Sequence, residues 1–159
     1  MRTGERHLGR ALARGVIAAM AMSGMRKVTT ELGLVERIPP ERVALEGVPA
    51  LVERIPPERR ELAIELAHWL YGGIGGAAFG SLPERLRRQT WSGPLYGVGV
   101  WLGYEIAVAP LFGLHRKRGP SAAERAALVV DHMLYGIVVA STPWPQEAGG
   151  SEVTRGRSS

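Results

Sequence analysis

The chain has 159 residues, of which 21 are glycine and none is cysteine, and its formal net charge is +5. This length favours one domain, and the lack of cysteine excludes disulfides, thiolate metal sites and cysteine nucleophiles. The positive charge indicates an anionic partner, and because the sequence contains no nucleic-acid-binding motif, we expect lipid headgroups and no nucleic acid.

A first apolar segment covers residues 8–32 and predicts one helix. Its uncharged centre, residues 15–25, has 11 residues, and a helix of that length covers about 16 Å, roughly half of a hydrocarbon core. We therefore expect a helix that crosses a membrane only marginally, with Gly33 as its C-cap.

A polar linker follows at residues 33–60 and contains an internal repeat. The nine residues LVERIPPER occur at 34–42 and again at 51–59. Their Pro-Pro pairs interrupt any continuous helix. We interpret the repeat as a duplicated surface loop, because exposed loops accept insertions at little cost. The alternative is a twofold binding element.

Three longer apolar segments follow the linker. The second segment runs from Pro57, which suits a first helical turn, to about residue 82. The third covers residues 93–114, whose single charge is Glu105, and it is long enough to span a bilayer. The fourth covers residues 121–141 and begins with a Ser-Ala-Ala-Glu capping box.

Small residues repeat at four-residue spacing on the predicted helices. This spacing places them on one helix face, where they allow two backbones to approach each other. A glycine in a soluble helix costs up to about 1 kcal/mol relative to alanine, so these rows favour packing inside a membrane. We predict that helices contact each other at Gly72, Gly76, Gly80, Gly99, Gly103 and Gly136.

Polar and ionisable side chains interrupt the second, third and fourth segments. A carboxylate at the centre of a bilayer costs roughly 2.5–3.5 kcal/mol on insertion scales, so it must be paired, protonated or facing a wet interior. The sequence leaves two roles open for these side chains: they handle protons or cations, or they form a structural hydrogen-bonded network. Because no HExxH or other metal motif is present, we expect no metal and no cofactor. The predicted central cluster consists of His68, Tyr71, Glu105, Asp131, His132 and Tyr135, with Glu65 beside His68.

An H-x-L-Y-G motif occurs twice, at residues 68–72 and 132–136. In a bundle of four spans the second and fourth segments run in the same direction. The repeated motif therefore predicts two helical hairpins related by a pseudo-twofold axis along the membrane normal. His68 and His132 should then occupy equivalent, facing positions.

The order of these motifs resembles that of a known family. The features are H-x-x-Y-G, a glycine-rich helix, a basic turn, Tyr96-Gly97 with Trp101, the residues APLFGL at 109–114, and H-x-x-Y-G again. Together they are similar to the YagU-like family of small bacterial inner-membrane proteins, over roughly residues 10–142. The resemblance implies a multi-pass inner-membrane protein with a role in acid tolerance, and it supplies no catalytic residues.

The sequence thus predicts an all-α fold, a small polytopic transmembrane bundle of about four helices. We expect one domain at residues 1–145 and a disordered tail at 146–159. The expected function is that of a non-enzymatic multi-pass protein of the bacterial inner membrane, whose partner is the lipid bilayer and which could form homo-oligomers. Two alternatives stay open: a proton- or cation-conducting unit that uses intramembrane Glu and His side chains, and a peripheral helical protein with a basic membrane-binding surface.

Overall fold

In the computed structural model, residues 2–33, 39–114 and 121–141 are described, and all regular structure in these ranges is helical. The all-α prediction is confirmed. The predicted disordered tail, 146–159, lies outside the described residues. The bundle consists of four helices: α1 (Arg2–Glu31), α4 (Pro57–Gly80), α6 (Ser92–Gly103) and α8 (Ala122–Ala140).

Shorter helical elements connect and extend the four long helices. They are α2 (Pro39–Arg42), a first π-helical turn (Val43–Gly47), α3 (Pro49–Val52), α5 (Glu84–Arg87), a second π-helical turn (Tyr104–Val108) and α7 (Ala109–Leu111). The second π-helical turn and α7 continue α6 without a break, so residues 92–111 form one continuous helix. Within the described parts of the chain, no helix has both the length and the hydropathy that crossing a membrane requires.

Local sequence signals set the helix ends where the sequence predicts them. The hydroxyl of Ser121 accepts a hydrogen bond of 3.1 Å from the backbone N–H of Glu124, which caps α8. Pro57 lies in the first turn of α4. Gly33 has a φ of 70°, and its N–H donates to the carbonyl of Thr30. This left-handed residue ends α1 because glycine adopts such a φ without strain.

The four long helices form two antiparallel hairpins. In the first hairpin Gly15 of α1 lies against Gly76 of α4, and Ala19 lies against Gly72. The second hairpin joins α6 to α8, and α1 also packs on α8. Helices α4 and α8 run in the same direction, as expected for the second and fourth helices of a four-helix bundle.

Three of the predicted packing glycines lie directly at helix contacts. A Cβ on Gly72 would lie 2.5 Å from the Cβ of Ala19, and one on Gly76 would lie 2.6 Å from the Cα of Gly15. Gly136 lies against the backbone of Gly93 in α6. Because backbone cannot move aside as a flexible side chain can, these contacts require glycine.

The prediction is wrong for Gly99 and Gly103. A Cβ built on either residue would meet no atom within 4 Å. Gly99 and Gly103 are four residues apart and lie on one face of α6, but the face that contacts α8 carries Gly93 and Gly97. Gly80 is the last residue of α4 and is partly buried.

The described part of the linker is not a loose loop. Arg42, Ala44 and Val52 are buried, and Nη2 of Arg42 lies 3.5 Å from the carbonyl oxygen of Leu114. Val43 packs on a second core of Tyr104, Ala109 and Leu114. The linker therefore covers the end of the α6–α7 helix. This arrangement differs from the expected surface loop, because the apolar residues of the linker pack against that helix.

Candidate functional site

A buried ion pair joins α1 to α8 in the middle of the bundle. Nε of Arg26 lies 3.7 Å from Oδ2 of Asp131, and the two side chains are only 4% and 3% exposed. Burying one of these charges alone would be very costly. The opposite charge on the other helix is therefore what makes the arrangement tenable.

His68 of α4 completes the contact between the three helices. Nη2 of Arg26 lies 2.9 Å from Nδ1 and 2.8 Å from Nε2 of the His68 ring. A guanidinium has only N–H donors, so the ring nitrogen that accepts this hydrogen bond must carry a lone pair. The contact is therefore made by a neutral imidazole.

A second histidine faces the same group from α8. His132 is buried, and its Nδ1–H donates a 2.7 Å hydrogen bond to the carbonyl of Leu128. Electrostatic interactions couple His132 to both His68 and Arg26. We refer to Arg26, His68, Asp131 and His132 as the Arg–Asp–His cluster.

Polar side chains extend this cluster along the α1–α4 contact. The indole Nε1 of Trp69 donates to Oε1 of Glu65 at 3.0 Å and lies 3.3 Å from the hydroxyl of Ser23. Nη2 of Arg26 also reaches Ser23, at 3.4 Å. Besides Asp131, the carboxylates of Glu65 and Glu41 act electrostatically on Arg26. The site thus holds one guanidinium among several carboxylates.

The ion pair is not fully hydrogen-bonded. Among the described residues, Nε and Nη1 of Arg26 and both carboxylate oxygens of Asp131 are buried without a hydrogen-bond partner. Buried polar atoms in proteins nearly always have a partner, and an orphaned group costs about 1–3 kcal/mol. The unused donors and acceptors could hold a proton, a water molecule or a small polar solute.

Two tyrosines tie the second hairpin to α4 just beyond the cluster. The buried hydroxyl of Tyr135 donates to the carbonyl of Gly72 at 2.6 Å, and Tyr96 donates to the carbonyl of Gly75, also at 2.6 Å. The ring of Tyr96 packs edge-on against Phe79, with centroids 5.1 Å apart. These bonds hold the two hairpins in a fixed register.

The structure brings together part of the predicted cluster. His68, Asp131 and His132 lie together in the Arg–Asp–His cluster, and Tyr135 lies one helical turn from Asp131 on α8. Tyr71 is half exposed. Glu105 lies in the second π-helical turn, is partly exposed, and forms no hydrogen bond or ion pair with another described residue. Tyr71 instead interacts electrostatically with Tyr96 and Tyr135, outside the Arg–Asp–His cluster.

Sequence reasoning missed Arg26, which is the centre of the site. It appears in the sequence as a charge flanking a short apolar centre, a position typical of a side chain that extends to the membrane surface. A usable signal was the helical period of 3.6 residues, because Gly15, Ala19, Met22 and Arg26 follow one another at spacings of four, three and four residues and are all buried. A charge on that face meets the neighbouring helix.

Within the described residues, no group of three His, Asp or Glu side chains could hold a metal ion. Comparison of the chain with protein-family models, with curated proteins and with solved structures finds no match. The resemblance to the YagU-like family therefore stays a prediction. The class that fold and site define is an all-helical bundle with a buried charged cluster.

Proposed function

We propose that this chain is a small multi-pass protein of the bacterial inner membrane whose Arg–Asp–His cluster binds and releases protons. The observation that carries the proposal is the ion pair of Arg26 and Asp131, buried between helices and in contact with a neutral His68. Ionisable groups inside a membrane bundle are costly and generally mark a function.

The outer surface of the bundle supports placement in a membrane. On α4, Leu62, Leu66, Leu70 and Ile74 follow one another at four-residue spacing, and each is at least half exposed. Ile106 and Leu111 are 72% and 80% exposed on the α6–α7 helix. Large continuous apolar surfaces on a folded protein mark contact with a partner or with lipid.

The length of the helix at residues 92–111 also supports placement in a membrane. Twenty residues at about 1.5 Å per residue cover about 30 Å, which matches a hydrocarbon core. Trp91 precedes this helix and is half exposed, a position typical of the aromatic belt at a membrane surface.

Membrane placement is tested by extraction. We expect the full chain to stay with the membrane fraction through high salt and alkaline carbonate and to require detergent for release. Release by carbonate or salt would favour the alternative, a peripheral protein held by its basic residues. Recovery in the soluble fraction without any treatment would overturn both.

The geometry around His68 supports the proposed proton response. His68 accepts a hydrogen bond from Arg26, and a proton on its ring would replace this bond with two like charges in contact. Asp131, Glu65 and His132 face the same guanidinium, so the added charge would also alter their interactions with it. Protonation of His68 should therefore loosen the contact of α1 with α4.

We propose to test this by thermal unfolding in detergent between pH about 7.5 and about 5.5, the range over which histidine ordinarily protonates. On acidification the wild type should lose more stability than His68→Gln, because the unfolded chain protonates this histidine freely whereas its contact with Arg26 in the folded chain opposes the proton. Glu105→Gln is the matched control, since it removes a titratable group outside the cluster, and it should behave as the wild type does. Equal pH dependence in the wild type and in His68→Gln would contradict a proton role for this ring.

A proton-conducting unit is the second candidate, and the orphaned polar atoms of the ion pair favour it. Reconstitution into liposomes with an internal pH dye separates the two. Proton entry above that of empty liposomes, lost in Asp131→Asn, would indicate conduction. A pH-dependent stability without such entry would indicate a bundle that senses protons and does not pass them.

A further inference from the structure

An apolar groove lies at the end of the bundle where α4 turns into α6. Its volume is about 390 Å³, which is within the usual range for ligand sites. Leu86, Trp91 and Leu95 in its wall are 44–58% exposed. The lining consists of Leu82, Leu86, Trp91, Leu95, Tyr96 and Val100, together with Ser92 and Gly99.

Gly99 keeps this groove open. A Cβ on Gly99 would meet no atom within 4 Å, so a helix contact does not explain why this residue is glycine. It faces the groove, and a larger side chain there would occupy the space. Gly103, one turn further along the same helix, also faces open space but does not line the groove.

Three arginines lie beside the groove-lining residue Leu86 in the chain. Arg85, Arg87 and Arg88 lie on and directly after α5, the same short helix that contributes Leu86 to the lining. Nε of Arg87 donates to the carbonyl of Leu82, a lining residue, at 3.0 Å. Arg88 pairs with Glu84. The turn at residues 83–92 keeps a net positive charge, with three arginines and one glutamate.

We propose that this groove binds one acyl chain of an anionic phospholipid, whose phosphate lies on the arginines of α5. The inference rests on the proposed membrane placement. Apolar walls match a hydrocarbon chain, and the arginines of the adjoining turn match a phosphate. The combination distinguishes a lipid from a soluble apolar ligand, which would not require the arginines, and from a free phosphate, which would not require the groove.

Native mass spectrometry of the full chain in detergent tests the proposal with dioleoyl phosphatidylglycerol and dioleoyl phosphatidylcholine as probes. The wild type should retain phosphatidylglycerol about tenfold more strongly. The double variant Arg85→Gln with Arg88→Gln should lower this ratio towards one. Its matched control is Arg59→Gln with Arg125→Gln, which removes two exposed charges from other helices and should keep the ratio.

A second pair of variants tests the groove itself. Gly99→Leu should reduce retention of phosphatidylglycerol by about tenfold, while Gly103→Leu, with the same added side chain and the same gain in helix propensity, should leave it unchanged. The proposal would be overturned if Gly99→Leu and Gly103→Leu had equal effects, or if the wild type retained the two lipids equally. A change of oligomeric state in Gly99→Leu would also overturn it. Carbonate extraction of the same variants reports separately on membrane placement, so a protein that stays in the membrane without lipid selectivity refutes the groove and leaves the proposed function standing.

Discussion

The two hairpins of this bundle use the same packing device but different chemistry. Gly15 of α1 lies against Gly72 and Gly76, and Gly93 of α6 lies against Gly136 and Ala140. Gly72 and Gly136 end the two copies of the H-x-L-Y-G motif. Repetition of the motif therefore corresponds to repetition of a close helix contact.

The hairpins differ at their histidines. In the first, His68 receives a hydrogen bond from Arg26 of the opposite helix. In the second, the backbone of His132 lies directly against Gly97, and the ring turns back to the carbonyl of Leu128. The same motif thus gives a polar contact where the partner helix carries an arginine, and a backbone contact where it carries a glycine.

The largest effect is expected from breaking the second hairpin with Gly97→Leu. A Cβ at this position would collide with the carbonyl oxygen of His132 and would lie 3.0 Å from the Cα of Met133. Because neither atom can move aside, we expect the free energy of unfolding to fall by about 3 kcal/mol or more. Chemical unfolding in detergent measures it. Gly103→Leu is the control and should fold normally. A well-folded Gly97→Leu protein would mean that α6 and α8 do not approach as described.

The next effect concerns the ion pair that links the first hairpin to α8. Arg26→Met leaves Asp131 buried without its partner, and we expect a loss of about 3–5 kcal/mol in the free energy of unfolding. The double variant Arg26→Met with Asp131→Leu should recover much of this loss, because no uncompensated charge is left. If the double variant is as unstable as the sum of the single variants, the two side chains are not coupled.

A smaller effect compares the two tyrosines of the repeated motif. Tyr135→Phe removes the buried hydrogen bond to the carbonyl of Gly72, and a loss of about 1–2 kcal/mol is expected. Tyr71 is 50% exposed, so Tyr71→Phe should change stability little. Paired melting curves of the two variants measure this difference. Equal losses would indicate that the two copies of the motif are equivalent in structure.

The smallest effect is expected at Glu105. Glu105→Gln should change the free energy of unfolding by no more than about 0.5 kcal/mol, as is usual for a partly exposed side chain without a specific contact. Asp131→Asn provides the comparison and should change it more, since Asp131 pairs with Arg26. A large loss of unfolding free energy in Glu105→Gln would indicate that Glu105 interacts with the central cluster after all.

The helices and three of their packing glycines, Gly72, Gly76 and Gly136, follow from the sequence alone. Proline in the first turn, the Ser121 cap and the left-handed Gly33 act within a few residues of the chain, so the ends of the helices depend on local chemistry. The glycine rows at 72, 76 and 136 act through helical periodicity, which is also local. For that reason the sequence correctly predicts the all-α fold, while the shared direction of α4 and α8 follows from the order of four antiparallel helices.

The partners of the polar side chains, in contrast, depend on the tertiary structure. Glu105 lies within an apolar run and Arg26 at the end of one, yet Arg26 is buried in the cluster and Glu105 lies outside it. The two Pro-Pro-Glu-Arg copies begin a short helix, α2 with the first π-helical turn, and a 24-residue helix respectively. Burial and pairing depend on which face of a neighbouring helix a residue meets, and that face is set by contacts between residues distant in the chain.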